Sequence, residues 1–166
     1  MAATIRIKGF AELRAKLGDR MIAGPTRRFL NRWSLIVLHR ARQLAPINRG
    51  RLRGSITNEL APDYVPLWAR VGTNLPYGRY MEHGTGLLND QGGGSRHWPP
   101  GEALNPWARQ HGFTGPNPGY AVARAIGLRG GLRPRRYLRG AVEESVPHVP
   151  SLLEMMARDI ERTAPQ

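Results

Sequence analysis

The chain has 166 residues, a formal net charge of +13 with a pI near 11.5, and no cysteine. Its length suits one domain of common size, and the missing thiols exclude disulfide frameworks and thiolate chemistry. The amino terminus lacks a long apolar core and the most apolar run, Trp33 to Leu38, is too short to cross a bilayer, so a soluble protein made inside a cell is expected.

Ile5 and Ile7 alternate with Arg6 and Lys8, a short strand pattern that Gly9 ends. Phe10, Leu13 and Leu17 then share one face of a helix over Phe10 to Leu17. Pro25 and Thr26 read as the opening of the strongest helix, with Thr26 as its N-cap. Leu30, Trp33, Val37, Ala41 and Leu44 recur there at three- and four-residue steps, and Phe29 and Ile36 widen the stripe. Arg28, Arg32, Arg40 and Arg42 fall largely off it. Pro46 stops the helix, because a following proline disfavours the α region at Ala45.

Leu52, Ile56 and Leu60 alternate with polar residues as in a half-buried strand, and Ala61-Pro62-Asp63 supplies a turn. Val65, Leu67, Ala69 and Val71 return, which predicts a long β-hairpin whose Pro66 marks an edge or a strand end. In YGRYMEHGTG, Tyr77, Tyr80 and Met81 have the spacing of a helical turn packed on a core, and Gly84 suits the left-handed residue that ends it. Gly86 to Pro100 reads as a glycine-rich, mobile loop that orders on assembly. Helices are expected over Pro100 to His111, packing Leu104, Trp107 and Ala108, and over Gly119 to Leu128, packing Tyr120, Ala123 and Ala125 to Ile126. The basic loop GLRGGLRPRRYL leads into a short helix near Leu138 to Ser145. Ser151 and Glu154 have capping-box spacing, and Leu152, Met156 and Ile160 line one side of a last helix that packs on its own core or on a neighbour. The class expected is α+β: a small antiparallel β-sheet with a long β-hairpin, flanked by one long helix and shorter helices, in a single domain over 1–166.

Glu82 and His83 could form an acid–base pair, but adjacent residues on a helical turn point about 100° apart and do not converge on one atom. A structural corner is the stronger reading of Tyr77, Tyr80, Glu82, Gly84 and Thr85, with Glu82 paired to an arginine such as Arg53 or Arg79. The five histidines are scattered without metal-ligand spacing, and no phosphate loop, dinucleotide loop or nucleophile elbow occurs. No catalytic residue, cofactor site or metal site is therefore expected.

The charge is unevenly placed. No acid lies between Arg20 and Asn58 or between Ala103 and Val142, whereas Glu143, Glu144, Glu154, Asp159 and Glu161 gather near the carboxyl end. This pattern predicts attraction to a polyanion or to an acidic face of a partner or second copy. Arg49, Arg51 and Arg53 stand on alternate positions and would project from one side of an extended segment. Arg129, Arg133, Arg135 and Arg136 add a second cluster. Such guanidinium groups contact phosphates without reading bases, and the aromatics are not interleaved as a stacking platform would require, so sequence-specific recognition of a single strand is not expected.

The order of IRIKGFAELRAKL, ARQLAPINRGRLRGSI, YGRYMEHGTG and RPRRYLRGAVEES resembles the head–tail joining (neck or tail-completion) proteins of long-tailed bacteriophages. The nearest type is the gene-product-ten family named after the lambdoid phage HK97. Ala45, Pro46, Gly50, Leu52, Arg53, Ser55 and Ile56 match its A-P-x-x-x-G-x-L-R-x-S-I motif. Tyr77, Tyr80, Met81, Glu82, Gly84 and Thr85 match its Y-x-x-Y-hydrophobic-E-x-G-T motif, and Pro134, Arg135, Tyr137, Leu138 and Ala141 its P-R-x-[FY]-L motif and following helix. The loop-rich stretch 87–132 exceeds what the shortest members need.

The resemblance implies a tail-terminator-like fold and a structural virion protein that forms a homo-oligomeric ring, typically of six copies, at the head–tail junction. Its neighbours would be the stopper and adaptor proteins of the neck and the tail tube protein. Double-stranded DNA would pass through the bore, close to the seven arginines or to the subunit interface they form. The alternatives are a free basic DNA-binding protein or, within the same class, a tail terminator or minor tail component.

Overall fold

The computed structural model describes residues 1–6 and 9–163. In chain order the elements are β1 (Ala2–Arg6), α1 (Phe10–Leu17), α2 (Asp19–Leu44), α3 (Arg51–Ser55), β2 (Thr57–Leu60) and β3 (Trp68–Gly72). There follow α4 (Gly78–His83), α5 (Gly101–Gln110), α6 (Pro118–Leu128), α7 (Tyr137–Ser145) and α8 (Val149–Thr163). The α+β chain divides into two units, Met1–Pro76 with Tyr137–Gln166 and Tyr77–Arg136. The stretch 87–132, expected as an insertion, lies inside the second. Ile7 and the side chains of Phe10 and Leu13, read above as inward-facing, lie outside the described residues.

In the first unit the three strands form an antiparallel sheet in the order β1-β3-β2. Leu60 pairs with Ala69 and Thr57 with Gly72 on one side of β3; Ile5 pairs with Ala69 and Ala2 with Gly72 on the other. β3 is thus the central strand, and buried Pro66 precedes it at a point where no ladder N–H is needed. The strand pair is shorter than expected, because Arg51–Ser55 is helical. Leu52 and Ile56 are both buried, and a four-residue spacing keeps two residues on one face in a helix as well as in a strand. Gly50 at φ 72 turns the chain into α3.

α2 begins at Asp19, six positions before the expected start, and Pro25 lies within it. Thr26 is a buried interior residue and not a cap. An interior proline costs about 3 kcal/mol by removing one backbone bond. The turn before it compensates by burying Ile22 and Ala23 against Val65, with Leu17, Met21 and Ile160 packed around them. At the other end Ala45 is extended at φ −62, ψ 131, as Pro46 requires. With 26 residues α2 is about 39 Å long, and β2, β3, α7 and α8 all pack on it.

Polar ties fix these elements on α2. Trp33 Nε1–H donates to Ser145 Oγ at 2.8 Å, and Asn58 Nδ2 donates to Ser34 Oγ at 3.1 Å. Arg28 pairs with Asp159 at 2.8 Å, and Arg40 with Glu144. α8 starts at Val149, so Ser151 is inside it and donates to the His148 carbonyl in place of a capping box. Leu152 and Met156 are buried, and the terminal helix packs on its own unit.

In the second unit α5 and α6 pair through small residues. A Cβ on Gly119 would lie 2.1 Å from the Gly101 carbonyl oxygen, and Gly119 N–H donates to Asn105 Oδ1 at 2.8 Å. Ala108 and Ala123 are buried as expected, whereas Trp107 and Tyr120, read as packing residues, are exposed. The Tyr120 ring lies over Gly101 of the other helix, and Trp107 stacks on His111 at the end of its own helix, centroids 3.9 Å apart.

Gly119→Ala is expected to lower the stability of the second unit by about 1–3 kcal/mol, read as faster hydrogen exchange across residues 101–128. Asp159 is held below its ordinary carboxylate range chiefly by the hydrogen bond from Arg28, against desolvation. Its contribution is complete above the unfolded value near pH 4 and is lost as pH falls through the depressed folded value. Protection of α8 against hydrogen exchange, with the intrinsic rate at each pH divided out, should therefore fall on acidification from about pH 5 towards pH 3, and less so in Arg28→Gln.

Candidate functional site

The segment Tyr77–Gly86 turns Glu82 and His83 inward. Glu82 and His83 are buried, at 2% and 6% exposure, while Tyr77 and Tyr80 are exposed at 41% and 53%. This reverses the expected packing of the two tyrosines. The inward face tolerates the His83 ring because a partner reaches it from elsewhere in the unit. His83 Nδ1 and Asp90 Oδ1 are 2.9 Å apart, and Arg136 Nε donates to Asp90 Oδ2 at 3.1 Å. Asp90 N–H donates back to the His83 carbonyl at 3.0 Å, and Arg136 N–H to the Glu82 carbonyl at 3.1 Å. Arg136 adopts φ 50, a left-handed conformation costing about 1 kcal/mol in a residue with a Cβ.

Gly84, at φ 74, ends α4 with its N–H on the Tyr80 carbonyl, as its place in the motif suggested. Beyond it the chain is strapped to the basic loop before α7. Thr85 N–H donates to the Leu132 carbonyl, Leu132 N–H to Thr85 Oγ1, and Leu87 N–H to the Gly130 carbonyl. The two backbones touch: a Cβ on Gly131 would stand 1.9 Å from the Thr85 oxygen. His97 N–H also reaches Gly130, and Arg96 Nη1 donates to the Leu128 carbonyl at 3.1 Å. The stretch expected as a mobile loop is thus anchored at its start and end.

The seven arginines singled out above divide between the units. In the first, Arg51 and Arg53 lie on α3, where residues two apart point about 200° away from each other. They do not form the one-sided row expected of an extended segment. Arg49 and Arg51 are exposed, whereas Arg53 is half-buried and donates from Nε to the Arg42 carbonyl at 2.8 Å. In the second unit Arg129, Arg133, Arg135 and Arg136 are all exposed, Arg136 being tied to Asp90.

Folding also sharpens the charge of the second unit. Its eight arginines, at positions 79, 96, 109, 124, 129, 133, 135 and 136, are all exposed. Of its three acids, Glu82 is buried, Asp90 has 8% side-chain exposure, and Glu102 alone faces water. Around the strap the structure gathers aromatic rings that are far apart in the chain. Tyr80 stacks on His97 with centroids 6.5 Å apart and planes 23° from parallel. Trp98, 54% exposed, lies against Gly127, where a Cβ would come within 2.1 Å of its ring. The spacing of residues 80, 97 and 98 carried no local sign of this gathering. The glycines at 127, 130 and 131 were the only trace, marking close backbone approach.

In the first unit a groove of about 510 Å³ lies between α2 and the end of α7 with the turn after it, lined by Leu35, Ile36, His39, Arg40, Glu144 and His148 among others. Among the described residues no group of three or more histidines and carboxylates is arranged to hold a metal ion. No protein family, curated protein or solved structure matches the chain.

What the Glu82–His83 corner can do is hold two distant segments together, with Asp90 as the central acceptor. Asp90→Ala is expected to destabilise the second unit by about 1–3 kcal/mol and to speed hydrogen exchange at Thr85, Leu87 and Leu132. Tyr77→Ala, on the exposed side of the same turn, should leave both unchanged.

Proposed function

We propose that the chain is a structural subunit of a long-tailed bacteriophage, closing with copies of itself into a ring at the head–tail junction. In this reading the ring has six subunits, joins the stopper and adaptor of the neck to the tail tube, and lets double-stranded DNA pass through its bore. The protein turns over no substrate. The observation that carries the reading is the joining in space of two motifs that the resemblance rests on. The Tyr77–Thr85 segment and the loop leading to Pro134 and Arg135 are strapped by paired hydrogen bonds between Thr85 and Leu132, and by Arg135 N–H on the Met81 carbonyl. The three-stranded antiparallel sheet with one long helix is compatible with a tail-terminator-like frame.

Ring closure needs a heterologous contact, in which one face of a subunit meets a different face of the next. Glu144 and Asp159 are engaged with arginines of their own α2. The acidic surface that can meet a neighbour is therefore narrower than the composition suggests, and shape carries more of the contact. A second reading, a free basic DNA-binding protein, draws on the eight exposed arginines of the second unit.

Mass photometry and sedimentation across a concentration series separate the two. The ring reading expects hexamers growing with concentration and weak binding to duplex DNA. A monomer that stays monomeric at tens of micromolar, and binds duplex DNA with a steep salt dependence, would reverse the choice.

A further inference from the structure

We propose that the surface around the Gly127–Gly131 strap is a binding site for single-stranded nucleic acid, which goes beyond the ring reading and does not depend on it. Four observations within the second unit carry the inference. Two of its exposed rings, Tyr80 and Trp98, converge on the strap through the Tyr80–His97 stack and the seating of Trp98 on Gly127. An exposed arginine neighbours them in the chain: Arg79 precedes Tyr80, and Arg96 precedes the His97-Trp98 pair. Arg129 and Arg133 flank the glycines of the strap. The acids that would repel a phosphate chain are turned inward, apart from Glu102.

The combination selects the ligand. Guanidinium groups alone would suit any polyanion, including duplex DNA, whose phosphates they reach without touching bases. Exposed aromatic rings add nothing on a duplex whose bases are already stacked on each other. On a single strand they take over that stacking, and every base has a face to offer, so the site is indifferent to sequence. Tyr, Trp and Arg are also the residues enriched at protein interfaces, so an acidic protein partner is the rival that the poly-glutamate arm of the test decides.

Full-length protein titrated with fluorescein-labelled (dT)20, a duplex of the same length and poly-glutamate tests the assignment. The expected result is that (dT)20 binds at least about tenfold more tightly than the duplex at 50 mM salt and quenches tryptophan fluorescence. Tyr80→Ala should weaken (dT)20 binding about tenfold, within the range for loss of one stacked base, while Tyr80→Phe retains it. Trp98→Phe, which keeps a ring over Gly127, should reduce the quench. Arg129→Ala with Arg133→Ala should lower the salt slope by about 1.4. Thermal melts confirm that the exposed-site variants remain folded. Duplex binding equal to or tighter than single-strand binding, with Tyr80→Ala silent, would overturn the proposal. So would displacement of (dT)20 by poly-glutamate at lower concentration than by unlabelled (dT)20, or no binding at 50 mM salt.

Discussion

The first unit depends on the buried face of α2. Its sheet has three strands of four or five residues, too small to enclose a core by itself. α2 gives β2 and β3 a surface to bury against and receives α7 and α8 on the same long helix. Ile22, Leu30 and Val37 are fully buried along it, each contributing about 1.5–3 kcal/mol of transfer free energy. Length is therefore the property that matters. A helix ending or starting at Pro25 would leave Val65 and Ile160 without the Ile22–Ala23 turn they pack against.

A different constraint organises the second unit, where backbone meets backbone. The contacts of Gly131 with Thr85, Gly86 with Gly130 and Gly119 with Gly101 are too close for any side chain on the glycine. Such approaches bury little apolar surface, so the hydrogen bonds of Thr85, Leu87 and Leu132 and the His83–Asp90–Arg136 network carry the specificity. The outcome is an arrangement in which acids serve inside and arginines stand outside.

The two units dispose of their acids in different ways, and both ways leave cations on the surface. In the first, Asp159 and Glu144 neutralise α2 arginines, which docks the terminal segment. In the second, Asp90 and Glu82 are withdrawn from water. A ring subunit around a nucleic-acid path and a protein that grips single strands would both draw on this field. Shape would decide the first and exposed rings the second.

Periodicity and proline were enough to read the long helix to its Pro46 stop, the helices over 101–110 and 118–128, the antiparallel strand pair and the apolar side of α8. These are local properties, set by side chains at fixed spacing and by the φ restriction at proline. The start of α2 and the helical state of Arg51–Ser55 were not legible. Burial of Ile22 outweighed a local breaker, and the Leu52–Ile56 interval fits either geometry. Nor could the corner be read correctly from its own residues: Tyr80 faces out and His83 in because Asp90 and Arg136 arrive from outside α4. Whether a polar side chain is buried depends on partners that only the tertiary structure brings within 3 Å or so, and those partners lie seven and fifty-three positions further along the chain.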